Sequence, residues 1–186
     1  MAAMNHTLTA TAATAAASAG TVAATRDTVG RWLTAGTVAN GLMAGTYVAF
    51  TAVVMPMLST KDDAGFVNSM QSINTGIENP LFLAVFFGAL AAPAVAAWKL
   101  RKRGGGTTMK WAIGALALYT TTVLTTSGIN VPLNEMLAST GDADPTKART
   151  DFETTWNIWN GIRALLTTGA TLAMAKALRL HRRNRI

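Results

Sequence analysis

The residue that asks most of its surroundings is Arg163, in the stretch TTWNIWNGIRALL at positions 154 to 166. It sits at the head of an apolar run, with Asn157 and Asn160 before it at i, i+3, i+6. That spacing places the three on one side of a helix. A permanent cation with two amides, held away from water, can stabilise an oxyanion. Two carboxylates in other polar stretches, Glu78 and Glu135, are of the type that removes a proton as general base. Gln71, Asn74 and Glu78 recur at i, i+3, i+7 within NSMQSINTGIENP, positions 68 to 80. Asn130 and Asn134 lie one turn apart in NVPLNEML, positions 130 to 137, where Pro132 frees a carbonyl one turn upstream. Trp159 offers a flat apolar wall beside the amides. The candidate site is therefore Arg163, Glu78 and Glu135 as catalytic groups, with Gln71, Asn74, Asn130, Asn134, Asn157, Trp159 and Asn160 as ligand-binding groups.

Other chemistries are closed to the chain by composition. It has no cysteine, which excludes disulfides, thiolate-held zinc and iron–sulfur clusters. Its two histidines, His6 and His181, stand near the termini, so no helix offers an imidazole to haem, copper or zinc. The expectation is no metal and no cofactor.

The elements that must hold these residues are membrane spans. Of 186 residues half are apolar, only 13% are charged, and mean hydropathy is positive. A soluble domain carries about twice that share of charge. Four segments approach the ~20 residues a bilayer requires: about Leu33 to Leu58, Leu81 to Trp98, Trp111 to Val131, and Trp156 to Ala177. Short connections favour an all-α, up-down-up-down four-helix transmembrane bundle. Thr60 to Asp63 resembles a capping box, so a short amphipathic helix starting near Lys61 leads into the second span. Phe66, Met70, Ile73 and Ile77 form its apolar stripe. Residues 1–30 read as a disordered Ala/Thr-rich tail, 31–180 as the transmembrane domain, and 181–186 as a basic tail.

Charge orients the bundle. Lys99, Arg101, Lys102, Arg103 and Lys110 fill one loop without an acid, and RLHRRNRI follows the last span. The other loops are mixed or acidic. The excess of bases puts both termini in the cytoplasm, here of a bacterial cytoplasmic membrane, with the lipid bilayer as the first partner. Trp32, Trp98 and Trp111 at one face, and Trp156 and Trp159 at the other, form aromatic belts. The net charge of +7 is explained by these loops, not by nucleic acid.

All three polar clusters then fall at the outer side. An arginine at mid-span costs roughly 2.5–3.5 kcal/mol on insertion scales. Arg163 therefore belongs inside the bundle with a partner, Glu78 or Glu135 being nearest. Each amide alone reads more readily as a helix cap or tie. Convergence of three clusters at one depth favours a pocket. Tyr47, Tyr119 and the threonines from 120 to 126 read mainly as packing, with Tyr119 able to line a deeper cavity. Gly41 and Gly45 make a GxxxG that serves packing within the chain or a homo-oligomer.

Four stretches occur in a telling order: VMPML ending the first span, MQSINTGIENPLF into the second, NVPLNEML after the third, and FETTWNIWNGIR into the fourth. Together they resemble the anthrone oxygenase family of small four-span membrane proteins, over about residues 33 to 178. The resemblance implies oxidation of polyketide anthrones to anthraquinones with molecular oxygen, that is, an oxygenase acting on an apolar aromatic small molecule. The alternative is a non-enzymatic accessory or structural subunit of a membrane complex. An enzyme should enclose a cavity lined by Arg163 and asparagines, whereas an accessory subunit should be packed solid. A transporter is the weakest reading, because no internal repeat or interrupted span is visible.

Overall fold

The computed structural model describes residues 28–184. Among the described residues the chain is helical without strands, in five helices: α1 Thr28–Ser59, α2 Asp63–Ile77, α3 Pro80–Arg101, α4 Gly106–Thr140 and α5 Pro145–Arg183. Most of the tail expected over residues 1–30 lies outside the described residues, and Thr28 to Gly30 are already the first turn of α1. At the other end α5 continues to Arg183, so His181 to Arg183 are helical.

Helix starts follow local chemistry. Asp62 caps α2, accepting from the Gly65 N–H at 2.9 Å, so the helix begins at Asp63, slightly later than the capping-box reading. Asn79 and Asp144 cap α3 and α5 the same way, each followed by proline at the first helical position. A short polar acceptor and a residue with no N–H to lose are the natural start of a helix. Gly104, Gly105 and Gly106 all take positive φ and turn the chain from α3 into α4.

Three helices, α1, α3 and α4, are long and apolar enough to cross a membrane. The helix expected as the fourth span, α5, is not among them. Its polar residues lower its hydropathy, the buried Asn160, Arg163 and Thr167 together with the half-buried Asn157 and Lys176. The described residues form an all-helical membrane protein in which α5 lies along α4 and α4 along α3.

Two apolar cores stack along the bundle. One, around Leu33, Met43, Ala89, Ala115, Tyr119 and Met174, belongs to the long helices. The other, around Met55, Phe66, Met70, Leu137, Phe152 and Trp156, sits where α2 packs over the ends of α1, α4 and α5. Buried polar groups tie the helices. Asn40 donates to the Ala89 carbonyl at 3.0 Å, and Tyr119 Oη to the Phe86 carbonyl at 2.9 Å. Most intramembrane threonines bond back to their own helix, as Thr167 does to the Arg163 carbonyl. Of the GxxxG pair, a Cβ on Gly41 would touch Thr171, while Gly45 faces open space.

Arg149 locks α5 to the end of α1. It donates to the Ser59 and Lys61 carbonyls, at 3.1 and 2.9 Å, and pairs with Asp63 and Glu153, at 3.2 and 2.7 Å. Hydrogen bonding by Glu153 pushes its guanidinium above the ordinary value, so it stays charged.

Candidate functional site

Between the two cores lies a cavity of about 370 Å³. This is within the size range of small-molecule sites. Tyr47 and Phe50 of α1, Asn74, Ile77 and the following Glu78 at the end of α2, and Phe82, Phe86 and Phe87 of α3 form one side. Thr126, Val131 and Asn134 of α4 and Trp156, Asn160 and Arg163 of α5 form the other.

Arg163 is 5% exposed. Its Nη2 donates to Asn160 Oδ1 at 3.0 Å, and its Nη1 reaches Thr126 Oγ1 at 3.4 Å. The guanidinium lies over the rings of Tyr47 and Trp156, 4.5 and 5.4 Å from their centroids. Such contacts hold a cation without neutralising it. Its Nε has no hydrogen-bond partner among the described residues, and no carboxylate there pairs with it. This corrects the expectation that Glu78 or Glu135 is its partner. Both glutamates are exposed, and the group that anchors the arginine is its own helical neighbour, Asn160.

Asn160 uses its whole amide. Nδ2 donates to the Tyr47 carbonyl at 2.9 Å and to Thr51 Oγ1 at 2.8 Å, while Oδ1 receives Arg163. Trp156 donates its indole N–H to Asn134 Oδ1 at 2.9 Å and packs against Phe50 and Phe152.

Two π turns flank this centre, Phe50–Val54 in α1 and Thr126–Asn130 in α4. Each ends two residues before a proline, Pro56 and Pro132. A proline ring collides with the carbonyl four residues back in a regular helix. The wider turn relieves that collision, and such turns concentrate at functional sites. Here they carry Thr51 and Thr126, which bond Asn160 and Arg163.

The structure brings together five of the expected residues: Arg163, Asn160, Asn134, Asn74 and Glu78. Gln71 and Glu135 line a second, polar cleft of about 400 Å³. It shares Asn74, Glu78, Val131 and Asn134 with the first cavity and adds Asp142. Gln71 is engaged there, donating to the Leu137 carbonyl at 3.0 Å. Asn130 is buried but outside the cavity lining, and Asn157 and Trp159 are half-buried and also outside it. The wall that Trp159 was expected to provide is Trp156 instead. Tyr47, read as packing, lines the cavity, and its hydroxyl lies beside Thr126 and Arg163. Tyr119, read mainly as packing, is bonded into the core and does not line the cavity.

A protein-family model described as anthrone oxygenase matches residues 80–173. The match spans α3, α4 and most of α5, including Asn134, Trp156, Asn160 and Arg163, and leaves out α1 and α2. No curated protein and no solved structure matches the chain.

Proposed function

The chain belongs to the anthrone oxygenase family, and from that membership we propose that it oxidises an anthrone-type polycyclic aromatic, or a similar apolar substrate, with molecular oxygen and without a cofactor. The observation that carries this reading is Arg163: a buried guanidinium with no carboxylate partner among the described residues, lining a cavity with aromatic walls. A cation so placed stabilises negative charge that develops on a bound ligand. A cavity of this size also favours an enzyme over a solid-packed accessory subunit.

In this proposal the flat rings lie between Phe82, Phe86 and Trp156, with the carbonyl oxygen toward Arg163. Glu78 is the general base, because it lines both the apolar cavity and the polar cleft. It takes one proton from the ring methylene, and the electron pair delocalises into an aromatic oxyanion held by Arg163. The anion passes one electron to oxygen, and the two radicals join to form a carbon–oxygen bond. Protonation gives a hydroperoxide. Loss of the second methylene hydrogen as a proton, with cleavage of the O–O bond, leaves a ketone and one water. The methylene and one O2 are thus fully accounted for. Glu78 returns its proton to the peroxide, so no proton is released overall; Glu135 and Asp142 line only the polar cleft and lie outside the apolar cavity.

Anthrone oxidation by purified variants tests these roles. Arg163→Ala should lower kcat/KM by about 10²–10³, as removal of an oxyanion donor does. Glu78→Gln should lower it by about 10²–10⁴, and Glu135→Gln by only a few-fold. An undiminished rate in the arginine variant would remove its role. Equal loss in both glutamate variants would undo the assignment of the base.

A further inference from the structure

We propose that Trp156 is a positioning residue: its indole N–H fixes the Asn134 amide with the NH2 turned to the cavity, and that NH2 selects ligands carrying an acceptor oxygen. The proposal rests on reading the cavity as the ligand site.

An amide on a cavity wall can present either its oxygen or its nitrogen. The choice is set by whatever the other end bonds. The indole nitrogen of Trp156 is a donor only, and it bonds Asn134 at 2.9 Å, so the asparagine must meet it with Oδ1. The Nδ2 group is then left without a protein acceptor, on a residue that lines both the apolar cavity and the polar cleft. Asn160 shows the contrast within the same site, since both ends of its amide are bonded to protein.

Trp156 is itself held in place. It is buried, stacks on Phe152 at 5.9 Å between centroids, tilts against Phe50 at 5.5 Å, and lies under the Arg163 guanidinium. The indole is therefore a fixed spacer with a cation over its face and an amide at its edge. The cavity lining then holds two donor groups, Asn134 of α4 and Arg163 of α5, together with the phenylalanines of α3. A ligand with no acceptor oxygen would strand both. A site built around dedicated donors discriminates against such ligands more strongly than an apolar pocket does.

The test uses two flat probes that need no turnover, anthraquinone and anthracene. Equilibrium dialysis against nanodiscs with and without the protein gives the affinity of each, corrected for lipid. The wild-type protein should prefer anthraquinone. Trp156→Phe keeps an aromatic ring but has no N–H, so the preference should fall about three- to tenfold, the loss of one oriented hydrogen bond. Asn134→Asp can still accept from Trp156 but has no NH2, and its preference should fall as far. Undiminished preference in either variant overturns the proposal. So does an equal loss of both probes in Trp156→Phe, which would make the indole a wall and nothing more. If the preferences shift as stated but no form of the protein oxidises an anthrone, the selection stands and the oxygenase reading falls.

Discussion

Asn160 joins α5 to α1 and holds Arg163 at the same time, with three side-chain bonds from one buried amide. Asn160→Leu strands the guanidinium and leaves the Tyr47 carbonyl without this donor. The expected cost is about 2–3 kcal/mol, since buried groups that lose their partners are expensive. Chemical denaturation in detergent, followed by circular dichroism, measures it. The burial of Arg163 was legible from its place in an apolar run, but the composition of its face was only half legible. Asn157, Asn160 and Arg163 at three-residue steps drift around a helix. Trp156, Asn160 and Arg163, at i, i+4, i+7, stay within a sector about 60° wide, half the spread of the three-residue steps. That second spacing is the buried stripe, and it was available in WNIWNGIR. The missing carboxylate was not available, because which side chain from another helix reaches Arg163 depends on how the helices are set against one another along the bundle.

Elements meet closely where α2 crosses the end of α4. A Cβ on Gly141 would stand 2.5 Å from Val67 Cγ1 and from the Leu137 carbonyl, and 2.9 Å from Gln71 Nε2. Gly141→Ala should destabilise the protein by about 1–3 kcal/mol through overpacking and loosen the Gln71 bond that fastens α2. Thermal unfolding in micelles reads the first effect, and faster proteolysis near α2 the second. The amphipathic α2 was visible as a stripe in the sequence, and Phe66 and Met70 are indeed buried in the outer core. The π turns were not visible. VMPML and NVPLN hold the prolines that require relief, but a proline alone does not say whether a helix kinks, breaks or widens.

At the scale of the whole molecule, charge is sorted by end. The described aspartates and glutamates lie around the α1–α2, α2–α3 and α4–α5 connections, in the last turns of α4 and in the first turns of α5, together with Lys61, Lys147 and Arg149, and the acid-free bases of residues 99–110 and 176–183 lie at the other end. The proposed orientation puts the acidic end outside. With no native cysteine, Ser139→Cys and Thr107→Cys each supply a single label site. A membrane-impermeant maleimide on intact cells should modify position 139, and reach 107 only after permeabilisation. The reverse pattern would invert the topology. This sorting was legible because it is compositional. A pocket at that end was legible too, from three polar clusters converging at one depth, but its walls were not, since which side chains line it depends on how α2 folds over the bundle end. The inward polar stripe of α5 has one more consequence, for biogenesis. A segment that hides its amides and its cation only against α1 and α4 has little reason to enter lipid alone. Its passage from the translocon must wait for α1 and α4, which precede it in the chain, so the arrival of α5 completes both the membrane insertion and the ligand chamber.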